Sequence, residues 1–383
     1  MATNTLGNYN ETFFAQEALI QLEKVLGMAG RVYRDYTTNP SIQGDTIQVR
    51  RPASFTAADA PAAAMDLTTE SVAVKVDKWK EVKFALTDKD LSLTSDRIIS
   101  DHIRPAAVAI ADVIDQDVAA LYKDVPWYTT LSATPALSDL SAIRKVMFDN
   151  KVPLNDGMLH FMIGGATEVA FLNAMAASGF VAGIQDQSLR NASMGRIFGY
   201  DVWANQNAPS HTPGIMADAT GAVVGVTALG ASVLNVNGLT VGGTTAIGDT
   251  FSIAGDTQRY VCTAIETVAG GGDIAALNFA PALKKATVGA EVLTFHGGAL
   301  AATAKTQNIA FHRNAFCLAT APLSTIGNQL GARIATVADP ITGIALRSRM
   351  FYVGNSSEVN VALDVLYGVK TLDCNLAVRG YQN

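Results

Sequence analysis

Residues 339–379 read DPITGIALRSRMFYVGNSSEVNVALDVLYGVKTLDCNLAVR. From Thr342 to Val353 apolar and polar residues alternate as in a strand, with Arg347 and Arg349 on one face. Gly354-Asn355 turns the chain, and Glu358 to Tyr367 returns it as a second strand. Leu376 to Arg379 forms a last short strand. A strand-rich end of this kind argues for an α+β body once its upstream partners are considered, because the long helix lies far away in sequence. Such a body has a high contact order.

That helix belongs to SDRIISDHIRPAAVAIADVIDQDVAALY, residues 95–122. Pro105 suits a first turn, Ile110, Ile114, Val118 and Leu121 form one stripe, and Val125-Pro126 stops the helix. Asp112, Asp115 and Asp117 fall off the stripe. Their spacing does not converge on a site, so it reads as a solvated face. Nearer the N-terminus, residues 11–28 form an amphipathic helix with Phe14, Ala18, Leu22 and Val25 at helical spacing. It reads equally well as a core helix and as an arm packed on a neighbouring subunit. Residues 44–51 and 71–77 alternate as strands, and the Ala-rich stretch between them offers nothing large to bury. A long two-stranded excursion is marginal alone and makes sense when another chain supplies the missing surface. Its basic residues, Arg50, Arg51, Lys75, Lys78, Lys80 and Lys83, flank a tip that carries Asp59 and Asp66. They read either as charged strand edges or as a basic stalk meeting an acidic neighbour. Further on, a helix is predicted over 138–147 with Ser138 as its N-cap. A buried strand follows at 159–163, then a helix over 167–175, a turn and strand at 195–203, and one strand over 308–319.

The composition changes near Pro213. Residues 214–305 hold 15 of the chain's 32 glycines and show short β-rich runs in place of helical periodicity. These runs are 232–236, 249–253, 258–265, 274–279 and 291–295. They suggest a small antiparallel barrel or sandwich inserted into a mixed body. Over the whole chain of 383 residues, charged residues are only 16%, with 28 Lys+Arg against 34 Asp+Glu, a net charge of −6. That balance excludes a disordered chain and a dedicated nucleic-acid reader, and it hints at surface shared between subunits. No signal peptide and no apolar run of membrane-spanning length is present.

Catalytic motifs are absent. There is no HExxH, no Cys/His cluster of zinc spacing, no GxGxxG, no GxxxxGK[ST] and no GxSxG. Cys262, Cys317 and Cys374 lie far apart and read as free thiols made in a reducing cytosol, while His160 reads as a core or interface histidine. No catalytic, cofactor-binding or metal-ligating residue is assigned.

The order of arm helix, β excursion, long helix, α/β stretch and terminal strands resembles the major capsid proteins of tailed bacteriophages, the Hong-Kong-ninety-seven-type fold. Residues 95–122, GRIFGYDVWANQNAP at 195–209, and 339–379 carry the resemblance. The insertion is similar to the extra domain of short-tailed-phage coat proteins. The resemblance implies an N-terminal arm over 1–38, an extended loop over 39–86, a peripheral domain from 87–134 and 335–383 with the long helix as its spine, and an apical domain from 135–213 and 306–334. The β-rich domain at 214–305 is then inserted into the apical domain.

The resemblance further implies a non-enzymatic shell protein in many copies, forming an icosahedral head in the virion after assembly in the host cytoplasm. Its partners would be further copies of itself, a scaffolding protein, a portal protein at one vertex and double-stranded DNA contacted without sequence preference, with no membrane. Because the arm starts near residue 11, the scaffold is expected to be a separate protein. No lysine occurs from 52 to 74, so a lysine crosslink at the loop tip is not expected. Phe14, Leu22, Arg50, Arg51, Asp59, Asp66, Lys75, Lys78, Lys80 and Lys83 are the candidate interface residues. An encapsulin-like cargo compartment, an enzyme with an unrecognised site and a fibre protein are the competing readings.

Overall fold

A computed structural model of the chain describes residues 15, 16, 18, 27–34, 46–50, 59–60, 71–87, 102–132, 134–177, 194–215, 220–296, 303–325, 332–338, 344–355 and 357–382. The chain divides into two compact units, residues 1–118 with 316–372 and residues 119–315 with 373–383.

In the first unit, Ala15 and Ala18 are helical and buried, at the place where the N-terminal helix is predicted. Strands β1 (Thr46–Arg50) and β2 (Ser71–Lys75) pair antiparallel, with Thr46 opposite Lys75, and β3 (Lys78–Thr87) follows. Helix α1 (Arg104–Ala119) buries Ile110, Ile114 and Val118 as the stripe requires. It then tightens into a 3-10 turn, Ala120–Asp124. The change from 3.6 to 3.0 residues per turn brings Tyr122 inward in place of Leu121.

The second unit continues with β4 (Tyr128–Leu131), α2 (Leu137–Asp149), β5 (Leu159–Ile163), α3 (Gly165–Ala177), β6 (Arg196–Ile197), β7 (Tyr200–Ala204) and β8 (Ser210–His211). The predicted N-cap of α2 is corrected. Ala136 is the capping position, and Ser138 lies inside the first turn. Asp139 organises this end, its Oδ2 accepting from the backbone N–H of Ala136 at 2.9 Å and of Ser132 at 3.2 Å.

Six strands then close a barrel: β9 (Thr220–Val223), β10 (Val233–Asn237), β11 (Thr250–Ile253), β12 (Arg259–Cys262), β13 (Ile274–Ala280) and β14 (Val292–His296), in the order β10-β13-β12-β11-β14-β9. Five of the six correspond to the β-rich runs of the sequence. The sixth, β9, reads TGAV and has too little apolar alternation to be seen. Period-two burial is plain in β10, where Leu234 and Val236 point inward between exposed neighbours. Phe251 and Tyr260 stack at 5.5 Å between ring centroids, and Phe279 meets both edge-on at 5.7 and 5.2 Å. Each such aromatic burial stabilises the barrel by roughly 2–3 kcal/mol.

The last strands are β15 (Lys305–His312), β16 (Phe316–Ala321), β17 (Arg333–Ala338), β18 (Ala345–Val353), β19 (Glu358–Thr371) and β20 (Ala377–Gln382). The single strand predicted over 308–319 is in fact two, broken by a 3-10 turn at Arg313–Ala315. β15 belongs to the second unit and β16 to the first, so the turn is where the chain passes between them.

In the second unit β4, β20, β15, β5, β7 and β6 form one sheet in that order, with β8 also pairing β15. Helices α2 and α3 and this sheet share a core that includes Ile143, Phe161, Phe171 and Tyr200. In the first unit β19 is the central strand. β3 lies along one side of it from Glu358 to Tyr367. On the other side lie β18 and then β16, which explains why β19 runs to Thr371 and not to Tyr367.

Candidate assembly surfaces

The β1–β2 ribbon is one-sided. Ile47, Val49, Val74 and Val76 are buried against Cys317, Ala319 and the flanking Tyr33 and Leu366. Gln48, Ser71, Ala73 and Lys75 point outward and are exposed. At the ribbon's base this chain's own sheet therefore covers one face, while most of the tip for which a neighbouring surface is expected lies outside the described residues. Gly368 makes the fit possible. A Cβ there would lie 2.0 Å from the Lys75 carbonyl oxygen, so only glycine admits this approach. Neither outer edge of the ribbon pairs with another strand among the described residues.

The ten candidate interface residues separate into groups. Phe14, Leu22, Arg51 and Asp66, and the side chain of Arg50, lie outside the described residues. Asp59, Lys75 and Lys80 are exposed. Lys78 instead turns to its own chain and pairs with Asp117 of α1 at 2.9 Å. Lys83 lies with its ammonium 5.0 Å from the centre of the Phe351 ring. The basic stalk is thus partly consumed internally.

The three aspartates of α1 also part company, and the solvated face expected for them is corrected. Asp112 accepts from Gln116 in an exposed pair. Asp115 is buried and accepts three backbone N–H groups, from Gly27, Met28 and Ala29. Asp117 accepts from the Tyr367 hydroxyl at 2.5 Å. Burial raises the Asp117 pKa, but the Tyr367 hydrogen bond and the Lys78 ammonium outweigh it and hold the carboxyl below the usual range. The residues that decide these roles are far away in sequence, so helical spacing carried no trace of them.

The face of this sheet that bears Leu366 and Gly368, away from α1, also carries Trp79, Glu81, Arg347, Arg349 and Asp364, since β3 register puts Glu81 beside Asp364 and β18 register puts Arg347 across from it. Asp364 is fully buried. Arg347 grips it through Nε at 2.9 Å and Nη2 at 2.5 Å, and Trp79 Nε1 donates to it at 3.2 Å. Arg349 pairs with Glu81 at 2.9 Å. Trp79 is 55% exposed, which makes it an anchor-type side chain available to a partner. A second apolar surface lies on the barrel. The loops around Thr227 and Thr287 are tied by hydrogen bonds, and Val226, Leu229 and Val288 stand exposed on them.

Among the described residues no group of three or more His, Cys, Asp or Glu side chains is placed to hold a metal ion. Burial pushes the Cys317 and Cys374 thiols up to about 12, which keeps them protonated and poor nucleophiles. His160 sits edge-on to Trp203 at 6.1 Å and near Phe311 at 5.6 Å, as its apolar strand suggests. A polar cluster of Tyr122, His211, Asp249 and Arg379 in the second unit had no sequence signal at all, because its members are scattered over four distant segments of the chain.

No protein-family model matches the chain, and no curated protein matches it. Among solved structures it is similar to one from Mycobacterium phage Che8, with a TM-score of 0.48 and 13% identity over 93% of this chain and 90% of that one. It is similar to the capsid structure of the cyanophage P-SCSP1u, with a TM-score of 0.44 and 10% identity over 92% and 85% of the two chains. It is also similar to the holo-SrpI encapsulin complex from Synechococcus elongatus, with a TM-score of 0.42 and 9% identity over 88% and 82%.

Proposed function

We propose that the chain is a major capsid protein of the Hong-Kong-ninety-seven-type fold, many copies of which build the icosahedral head of a tailed phage around double-stranded DNA. The observation that carries this reading is the β1–β2 ribbon. It buries one face on its own sheet, exposes Gln48, Ser71, Ala73 and Lys75 on the other, and among the described residues pairs with no third strand, with residues 51–70 running between its strands. An open two-stranded edge is a liability for a free subunit and an asset for one that docks on a neighbour. The quoted sequence stretches support the reading further, because they fall on the long helix α1, on β7 and on β18, β19 and β20.

In this proposal residues 1–38 are the arm, 39–86 the extended loop, and 214–305 an inserted domain built on the closed barrel. The peripheral domain comprises 87–134 and 335–383, and the apical domain 135–213 and 306–334. Asp59, Lys75 and Lys80 are contact residues of the loop. Each contact between copies is weak and is repeated around every subunit, so assembly is cooperative. DNA contact is electrostatic and sequence-blind, and a scaffolding protein guides closure while a portal occupies one vertex.

Expression of the chain with and without its candidate scaffold, followed by electron microscopy of the soluble fraction, tests the proposal. Closed shells of uniform size are expected. A monodisperse monomer or small ring under every condition overturns it.

A further inference from the structure

On the second unit an open groove lies between the C-terminal half of α2 and the segment that follows it, lined by Arg144, Lys145, Phe148, Asp149, Lys151 and Leu154. Phe148 is 69% exposed. The β6–β7 hairpin closes on the two-residue turn Phe198-Gly199, and Arg144 Nη1 donates to the Phe198 carbonyl at 2.6 Å, which fixes that turn at the groove's rim. Phe198 is 48% exposed. Its φ is 48° and that of Gly199 is 85°, two left-handed positions for which Asn-Gly is the favoured sequence. Lys151 repeats the pattern. It is exposed and has φ 59°, one residue past the C-cap Asn150 of α2, where glycine is the usual helix-ending residue. Two left-handed positions beside one groove thus carry a phenylalanine and a lysine, at a backbone cost that neither turn requires.

Three cations face one carboxylate in the lining, an excess of two, and Lys145 with Asp149 at 2.8 Å forms the internal pair. Asp156, the next carboxylate along the chain, is taken up by Met158 N at 3.0 Å and His312 Nε2 at 2.6 Å. An aromatic centre with a cationic rim fits an acidic segment that brings large apolar side chains of its own. Two net charges match a few carboxylates better than a nucleic-acid backbone with a phosphate at every residue. This chain contains such a segment. Residues 52–70 hold Asp59, Asp66 and Glu70, no Lys or Arg, and the apolar Phe55, Met65 and Leu67. About ten residues out and ten back allow a reach of up to about 33 Å from the ribbon. We propose that residues 52–70 of one copy dock in the α2 groove of a second copy, with carboxylates on Arg144 and Lys151 and apolar side chains on Phe148 and Phe198. This docking rests on the shell reading and gives it a named contact.

The test uses the full chain and a fluorescent synthetic peptide of residues 52–70. Saturable binding that weakens with salt is expected. Phe148→Ala should weaken it about tenfold, the effect of one lost aromatic anchor. Phe198→Asn and Lys151→Gly should each weaken it about threefold to tenfold while the melting temperature stays level or rises, because each supplies the residue its turn favours. A merely structural role would not set binding against stability in this way. A peptide carrying Asp59→Asn, Asp66→Asn and Glu70→Gln should bind about tenfold more weakly. Absence of peptide binding, or equal binding by these variants, overturns the assignment, as does capture of a single-stranded oligonucleotide by the groove in place of the peptide. Closed shells without peptide binding would remove this docking and leave the shell reading intact, whereas peptide binding by a chain that never closes into shells would remove the shell reading alone.

Discussion

Replacing Asp115 by alanine tests the structure where it departs furthest from its sequence. The carboxylate is 3% exposed and accepts from Gly27 N at 2.9 Å, Met28 N at 3.2 Å and Ala29 N at 2.9 Å. Three converging backbone N–H groups form an anion-binding nest, filled here by a side chain 86–88 positions along the chain. Gly27 is half-buried and can turn to water once the carboxylate is gone. Met28 and Ala29 are fully buried and cannot do so without opening the segment. Two stranded buried donors cost roughly 1–3 kcal/mol each, so Asp115→Ala should destabilise this segment by about 2–6 kcal/mol. The next attachment is separate, since Tyr33 N donates to the Phe316 carbonyl at 3.0 Å and Leu318 N to the Tyr33 carbonyl at 3.1 Å. Hydrogen exchange should therefore accelerate strongly at the amides of 28 and 29 and much less at that of 33. Asp115→Asn keeps one acceptor and should fall between wild type and alanine. Unchanged protection at residues 28 and 29 in a folded Asp115→Ala chain would refute the reasoning.

Gly368→Ala forces a Cβ onto the Lys75 carbonyl and should lift the ribbon from its sheet at a cost of about 1–3 kcal/mol or more, read as faster proteolysis between residues 51 and 70 in the intact chain. Asp364→Ala takes the carboxylate from the buried Arg347 and should cost about 3–5 kcal/mol in urea unfolding, whereas the pair Arg347→Met with Asp364→Leu should recover part of it, since Trp79 and Arg349 also lose Asp364. Burial, reinforced by Arg259, lowers the His296 pKa from 6.5 to about 4. The folded chain therefore resists a proton that the unfolded chain accepts. Stability from this group is full above pH 6.5, falls as the pH drops toward about 4, and levels off below, and His296→Gln should flatten that part of the pH profile.

The legible parts of the sequence were those whose cause is local. The stripe of α1, the alternation of β10 and the turn at Gly354-Asn355 all follow from side-chain period and turn chemistry within a few residues, whereas β18 is a strand as expected but buries its first four residues without alternation. What escaped has its cause elsewhere. β9 is a strand because β10 and β14 pair with it, not because TGAV asks to be one. The 3-10 turn at Arg313–Ala315 splits an apparently continuous strand because its halves pair with different sheets, β15 with β20 and β16 with β19. Lys78 and Lys83 looked like members of one basic patch because they share a segment. In a strand they face opposite ways, one toward Asp117 and the other over Phe351.

The same chain treats its β edges in two ways, and the contrast bears on where copies would meet. The six barrel strands close on themselves, so every strand has two partners and no ladder is offered to a neighbour. Among the described residues the ribbon is a two-stranded sheet with no third strand and a polar, lysine-bearing outer face. Evolution of a free-standing subunit would blunt such an edge with a cover or a bulge, yet β1 and β2 run in continuous register from Thr46↔Lys75 to Arg50↔Ser71. A charge-reversing Lys75→Glu substitution, on that exposed face, should then leave the melting of the isolated subunit unchanged while lowering the yield of closed shells. Loss of subunit stability with normal shell yield would place the contact elsewhere, and Trp79 would become the next anchor to truncate.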